Sequence, residues 1–306
     1  MSEIDDAIER ISEQIHGRHF STWDLIQTRL DEQQHADRTY FLECVRAEME
    51  GMLPTPEPTP EPMPDPMYPF ELKRPSIPES CHTFSGSLGF WSCGLLDADY
   101  AKSFRMRDLT IDTGGVAYDS AMHMAGIYDV KGLRVIGGKH AIRMVAVYDS
   151  DFVGLTLAGE PTNLGQDIKL TNSPKEYGLP ATNNIRILGL IASKHLRIGP
   201  INSTYDHDKP FHIVLEDAQI KCPYVNSAIG VCGKNVLIRK VVLDFRDWPG
   251  DWCYGVSIVA VGAQRPEKVW LEDVTCLVRE SQKKHAVPFI DPYGAVESAQ
   301  SVRVVT

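Results

Sequence analysis

Val236-Leu-Ile-Arg-Lys-Val-Val-Leu243 puts apolar residues at the first, third, sixth and eighth places of an eight-residue stretch. Apolar residues alternate within each half, and period-two alternation is the mark of a strand with one buried face. The alternation changes phase once, between the third and sixth places. Two short strands therefore meet at a tight corner and turn their apolar residues the same way. The template recurs at Phe104, Met106, Leu109, Ile111; Tyr128, Val130, Leu133, Val135; Ser150, Phe152, Leu155, Leu157; and Ile185, Ile187, Leu190, Ala192. It returns at Ile213, Leu215, Ala218, Ile220 and at Val269, Leu271, Val274, Cys276, with Ser150 the one polar exception. First places of these copies lie 22 to 35 residues apart. An eighth copy is expected to begin at Val302 and Val304 and to be cut off at Thr306.

Self-similarity at this period implies a repeat architecture. Coils of strand stacked at about 4.8 Å would give, for about eight coils, a rod of about 40 Å. A third strand per coil is visible in Gly126-Ile-Tyr-Asp129, Ala146-Val-Tyr-Asp149, Ala228-Ile-Gly-Val231 and Tyr254–Val261. An antiparallel sandwich also yields short strands at steady spacing. Sandwich strands, however, have no reason to keep one corner geometry seven times.

Three strands per coil resembles the right-handed parallel β-helix family, which includes pectate lyases, polygalacturonases and bacteriophage tailspikes. The resemblance covers roughly residues 100 to 306 and rests on periodicity and on phrases such as Ser150-Asp-Phe-Val-Gly-Leu-Thr-Leu157. It implies a mainly β chain, a right-handed parallel β-helix of about eight coils over 104–306, preceded by a short helical N-terminal module. It carries no active-site signature, and fold alone does not fix function.

Residues 1–53 read as helical. Ile4, Ile8, Ile11 and Ile15 form one stripe. Gly17 ends that helix, and Ser21 or Thr22 caps a second. Short amphipathic helices need a partner, whether each other, copies of themselves or another protein. Residues 54–69 place proline at alternate positions, which favours an extended spacer of roughly 50 Å. Residues 70–103 are expected to form the N-terminal cap of the solenoid, with Phe84, Leu88, Phe90 and Trp91 either plugging the first coil or filling its core. The end at Thr306 leaves the last coil without a cap, so subunit association is expected there.

The formal net charge of −10, from 41 acidic and 31 basic residues, disfavours a dedicated nucleic-acid partner. No apolar run is long enough for membrane insertion. The acidic N-terminus lacks a secretory h-region. The seven cysteines include no Cys-x-x-Cys pair, so neither a metal nor any other cofactor is expected. Cys276 falls on a core place of the template, and Cys81 and Cys93 flank a stretch that a disulfide would close.

Phosphate loops and nucleophile elbows are absent. The best candidates for chemistry lie in two long loops. One carries Asp206, His207 and Asp208; the other carries Asp247 and Asp251 with Trp248 and Trp252. Paired carboxylates suit glycoside hydrolysis, and tryptophan faces suit sugar rings. If both loops leave on one side they lie two coils apart, roughly 10 Å. The competing reading is solvated turn-forming aspartates and tryptophans that pin their loop to the rod. Neither the lyase calcium and arginine constellation nor the tailspike carboxylates can be matched, so no catalytic residue is assigned. The plan of helical peg, spacer and rod resembles a virion structural protein of tailspike, head-fibre or capsid-decoration type. On that resemblance the chain is a homo-oligomer, with a trimer favoured. It docks other virion proteins through residues 1–53, contacts host surface polysaccharide and is assembled in the host cytoplasm. A polysaccharide hydrolase or lyase is the alternative.

Overall fold

The computed structural model describes residues 68–92, 102–116, 118–160, 165–172, 179–199 and 209–306. The chain divides into two units, Met1–Asp65 and Pro66–Thr306. The expected helices of 1–53 and nearly all of the proline spacer lie outside the described residues.

Seventeen strands follow in chain order. They are β1 (Thr83–Leu88), β2 (Trp91–Ser92), β3 (Ser103–Asp112), β4 (Ser120–Lys131), β5 (Arg134–Ile136) and β6 (His140–Ala158). Then come β7 (Ile168–Thr171), β8 (Asn183–Ala192), β9 (Leu196–Ile198), β10 (Phe211–Lys221), β11 (Ser227–Val231) and β12 (Lys234–Asp244). The last are β13 (Cys253–Ile258), β14 (Glu267–Leu277), β15 (Ala286–Ile290), β16 (Val296–Gln300) and β17 (Arg303–Val305). The described residues are thus mainly β, and every pairing between these strands is parallel.

The pairings form two ladders. Ladder A runs β1, β3, the end of β4 with β5, the end of β6, β8, β10, β12, β14, and β16 with β17. Ladder B runs β2, the start of β4, the start of β6, β7, β9, β11, β13 and β15. The chain alternates between the ladders, so each turn adds one layer to both.

Ladder A is the template. Ile213 pairs with Val236, Leu215 with Ile238, Ala218 with Val241 and Ile220 with Leu243, and the same places pair again in the next layer. Of the template residues in the seven full copies, only Phe104 is less than fully buried. Each such side chain contributes about 1.5–3 kcal/mol of burial. The phase change has a direct cause at the fifth place, where Asp108, Gly132, Gly154, Gly189, Asp217, Lys240 and Asp273 all have positive φ. A left-handed residue bends the strand and consumes one position without reversing the apolar face. That conformation costs most L-residues about 1–2 kcal/mol, and Gly, Asp and Asn tolerate it best. At Gly132 a Cβ would also lie 2.3 Å from the Asp108 carboxylate of the preceding layer.

A second left-handed column stands just before the template, at Asp149, Asn184, His212, Asn235 and Lys268. Its side chains bond along the stack. Asn184 donates to Asp149 at 2.7 Å, and the Asn184 amide oxygen lies 3.2 Å from the His212 ring.

Ser150, the polar exception, is fully buried. Its hydroxyl donates to the Tyr148 carbonyl at 2.6 Å and accepts the Tyr128 backbone N–H at 2.8 Å. It repairs a place where the backbone ladder leaves a donor unpaired.

One expectation is corrected. Val302 and Val304 do not open an eighth copy. Cys276 pairs with Val304 and Val269 with Val296, so the two valines are the sixth and eighth places of a complete layer that begins at Val296. A register shift between Val269 and Trp270 breaks the spacing that would have revealed it. Of the two readings of the segment before the first template copy, filling a coil's core is the one that its described residues take. Thr83–Leu88 pairs with β3 and is itself a layer. Phe84, Leu88 and Trp91 pack on the core, whereas Phe90 faces outward and stacks on Tyr118 at 4.9 Å. Residues 68–80 run along the outside of ladder A. Phe70 stacks on His212 and touches Trp270, Arg74 pairs with Asp151 at 2.8 Å, and the Tyr68 ring lies under Arg239. Val214 and Leu237 point away from the interior between these contacts and are fully buried.

Cys81 is a free thiol 3.1 Å from the Ser103 carbonyl; Cys93 lies outside the described residues. Burial pushes the interior thiols up, Cys253 to about 11 and Cys276 to about 12, so they stay protonated and pack as small apolar groups.

Replacing Ser150 with Ala should strand the buried Tyr128 N–H. The expected loss is about 1–3 kcal/mol, read as a lower urea midpoint at unchanged m-value. An unchanged midpoint contradicts this role for the hydroxyl.

Candidate aromatic site at the A-to-B corner

The layers differ chiefly in their connections. Phe245–Trp252 carries the chain from β12 in ladder A to β13 in ladder B, and a 3-10 turn (Glu280–His285) follows β14 at the same corner. The two tryptophans of the first loop have opposite fates. Trp248 folds down on the core, its indole N–H 3.2 Å from the Trp252 carbonyl. Gly250 lies so close beneath it that a Cβ there would sit 2.7 Å from the indole nitrogen. Trp252 is 53% exposed. Its ring stands 4.7 Å from His285 and 6.4 Å from Tyr254, the latter stacked at an interplanar angle of 27°.

Gln282 holds this arrangement. Its side chain is fully buried. The amide nitrogen donates to the carbonyls of Trp248 at 2.9 Å and Gly250 at 2.8 Å, and the amide oxygen accepts the Arg279 backbone N–H at 2.8 Å. Arg279 adds a bond of 2.7 Å to the Trp248 carbonyl. The loop's orphan carbonyls are thus satisfied by the next layer, and Trp252 is presented on a fixed backbone. The result is a flat apolar shelf with a phenol and an imidazole beside it. Such a surface suits the apolar face of a sugar ring. Asp247 and Asp251 are exposed in the same loop and can accept hydroxyl hydrogen bonds.

Asp206, His207 and Asp208 lie outside the described residues. The connection that carries them joins β9 to β10, from ladder B to ladder A. The Asp247 loop runs from A to B. The two connections thus run in opposite senses between the ladders. Tyr254 lies in β13, as its place in the stretch Tyr254–Val261 implies, whereas His285 and Gln282 belong to no motif of the sequence. A hint existed in Gln282, a polar residue in a loop whose backbone had no other visible partner.

A second polar node sits at the same type of corner, between β6 and β7. Asp167 is fully buried. Its carboxylate accepts the backbone N–H groups of Gly159 (3.1 Å), Ser193 (2.6 Å) and Lys194 (2.7 Å). Burial nonetheless raises its pKa. The Lys194 ammonium donates to the Lys139 carbonyl at 2.9 Å. The Gln166 N–H donates to His140 Nδ1 at 3.1 Å, which requires that nitrogen to be unprotonated. Burial, helped by nearby Lys169, pushes His140 down to about 4, and burial with Lys194 does the same to His195. These bonds close a corner and are structural. Among the described residues no group of three His, Cys, Asp or Glu side chains is placed to hold a metal ion.

Comparison with known proteins finds no matching family model, no matching curated protein and no matching solved structure.

Two outcomes follow from this geometry. Gln282→Leu should strand the Gly250 carbonyl and the Arg279 backbone N–H and cost about 2–4 kcal/mol, seen as a lowered urea midpoint. Stability should also fall as pH drops from 6.5 toward 4. The four histidines His123, His140, His195 and His212 all have folded pKa values below the ordinary 6.5, two of them at about 4. The unfolded chain therefore binds more protons in that window, and the stability present above pH 6.5 is lost through it. Asp167, raised by burial, opposes the trend with one group against four. Denaturant midpoints measured from pH 8 to 4 should fall, and less steeply for His140→Gln.

Proposed function

We propose that the two ladders wind as a right-handed parallel β-helix and that the chain is a virion structural protein of tailspike, head-fibre or capsid-decoration type. The observation that carries the reading is the rod of parallel layers, rigid and repetitive, with a fixed aromatic shelf on its flank. Handedness rests on the general rule that parallel strands of one sheet are joined by right-handed crossovers. In this reading residues 1–53 dock other virion proteins, 54–69 space, and the rod meets host surface polysaccharide at Trp252 and its neighbours. Homotrimers, assembled in the host cytoplasm, carry the rods on the virion.

The exposed Trp252 ring beside Tyr254 and His285 supports contact with sugar. A panel of bacterial surface polysaccharides immobilised for surface plasmon resonance tests it. Binding to at least one, weakened about tenfold by Trp252→Ala and unaffected by Trp248→Phe, is expected. Unchanged binding by Trp252→Ala removes the shelf from the contact. Light scattering of the full chain should give a trimer, and a monomer overturns the fibre reading.

A further inference from the structure

Residues 68–80 run across the layers of ladder A and belong to no strand. A segment that crosses the layers cannot join the ladders, because their backbone groups are already paired from layer to layer. Side chains hold it instead, and their burial alternates. Tyr68, Phe70 and Leu72 are half-buried, whereas Pro69, Glu71 and Lys73 are exposed. Phe70 stacks on His212 of β10 at 5.2 Å and meets the Trp270 ring of β14 at 5.8 Å. Val214 and Leu237, outward and fully buried, complete an apolar column with Trp270, since Val214 pairs with Leu237 and Leu237 with Trp270. Further along, Arg74 pairs with Asp151 of β6, and the Cys81 thiol donates to the Ser103 carbonyl at the start of β3. From β3 to β14 these contacts span six layer steps, roughly 29 Å.

The chain meets these layers in reverse order. It touches β10 and β14 first, then β6, then β3, and only then enters its own layer at Thr83. Neighbouring template copies begin 22 to 35 residues apart, so each layer can form on the one before it with a short closure. The partners of the strap are much farther away. Arg74 and Asp151 are 77 positions apart, and Phe70 and Trp270 are two hundred apart. Before the layers exist, closing such loops would cost chain entropy for a few side-chain contacts. Once the layers through β14 stand, the same contacts require only the strap to be ordered. Stacks of repeats otherwise open from their ends, layer by layer. The strap ties the end at β1 and β3 to β14 and works against that route.

We propose that residues 68–78 are a clasp that seats only on a completed stack and then locks it kinetically. The clasp is independent of what the rod binds. Phe70 is its key residue, because its ring bridges β10 and β14, layers that only the finished ladder brings together. Contacts missing from the folding transition state leave the folding rate unchanged, and their loss speeds unfolding. The chain that precedes Tyr68 is thereby tied to the rod at β10–β14, and only after those layers have formed.

The full-length chain is unfolded and refolded in urea, followed by tryptophan fluorescence, as the parent and as Phe70→Ala. The variant should unfold faster by about fivefold or more and refold within about twofold of the parent rate. An unfolding rate equal to the parent's overturns the lock. Refolding slowed as much as unfolding is accelerated overturns the late seating. Pulsed thiol labelling read by peptide mass spectrometry gives the order of events directly. Leu72→Cys reports the clasp, and the native Cys253, a buried free thiol at the start of β13, reports the stack. During refolding Cys253 should reach its native reactivity first and Leu72→Cys second. The reverse order overturns the proposal. Where refolding is incomplete, the unfolding rates of the native chain and of Phe70→Ala decide the matter alone.

Discussion

Parallel pairing of residue on residue is the constraint from which the rest of this structure follows. Each layer must match the one beneath it across the whole template, because a slip of one position would turn every inward side chain outward. The interior is therefore built of columns. The template columns of ladder A keep their places through the register shift at its last layer, and the inward columns of ladder B do the same. The left-handed corner is part of that bargain. In each of the seven template copies an αL residue at the fifth place keeps both halves of the ladder A strand facing inward.

The same rule that orders the core also orders the surface. Outward residues of equal place are stacked whatever their chemistry, so favourable and unfavourable columns both arise. On ladder A outward charges of opposite sign pair. Arg186 meets Asp151 at 2.9 Å, and Arg239 meets Glu216 at 2.8 Å. On ladder B Arg143, Lys169 and Arg197, residues of one sign, are stacked by the same pairing.

Variation is confined to the corners, where added residues do not disturb the register. Three polar side chains make that possible. Asp167, Gln282 and Ser150 are each fully buried, and each accepts or donates bonds to backbone groups that the ladders leave over. Such groups must be satisfied inside the protein, since water does not reach them. Gln282 links the corner of one layer to the turn of the next, and so sets the pose of Trp252 without touching its ring.

The sequence alone determined the columns of the core. Alternation with a single phase change is a local pattern, and nearly every residue it named is buried. The residues at the fifth place were also legible, since Asp and Gly recur where a left-handed corner is needed, although the pattern of apolar places drew the reading away from them. The last layer was misread because a bulge shifts Val296 and Ala299 out of spacing and leaves Val302 and Val304 to mimic a beginning. Tertiary structure alone decided which strands carry a loop from A to B and which from B to A. That choice brings Trp252, Tyr254 and His285 together across two layers. It also made a column of Arg143, Lys169 and Arg197, residues 26 and 28 positions apart, which no window of sequence connects. Neighbours along a strand are written in the chain. Neighbours between layers depend on how many residues each corner absorbs, and only the packed ladder fixes that number.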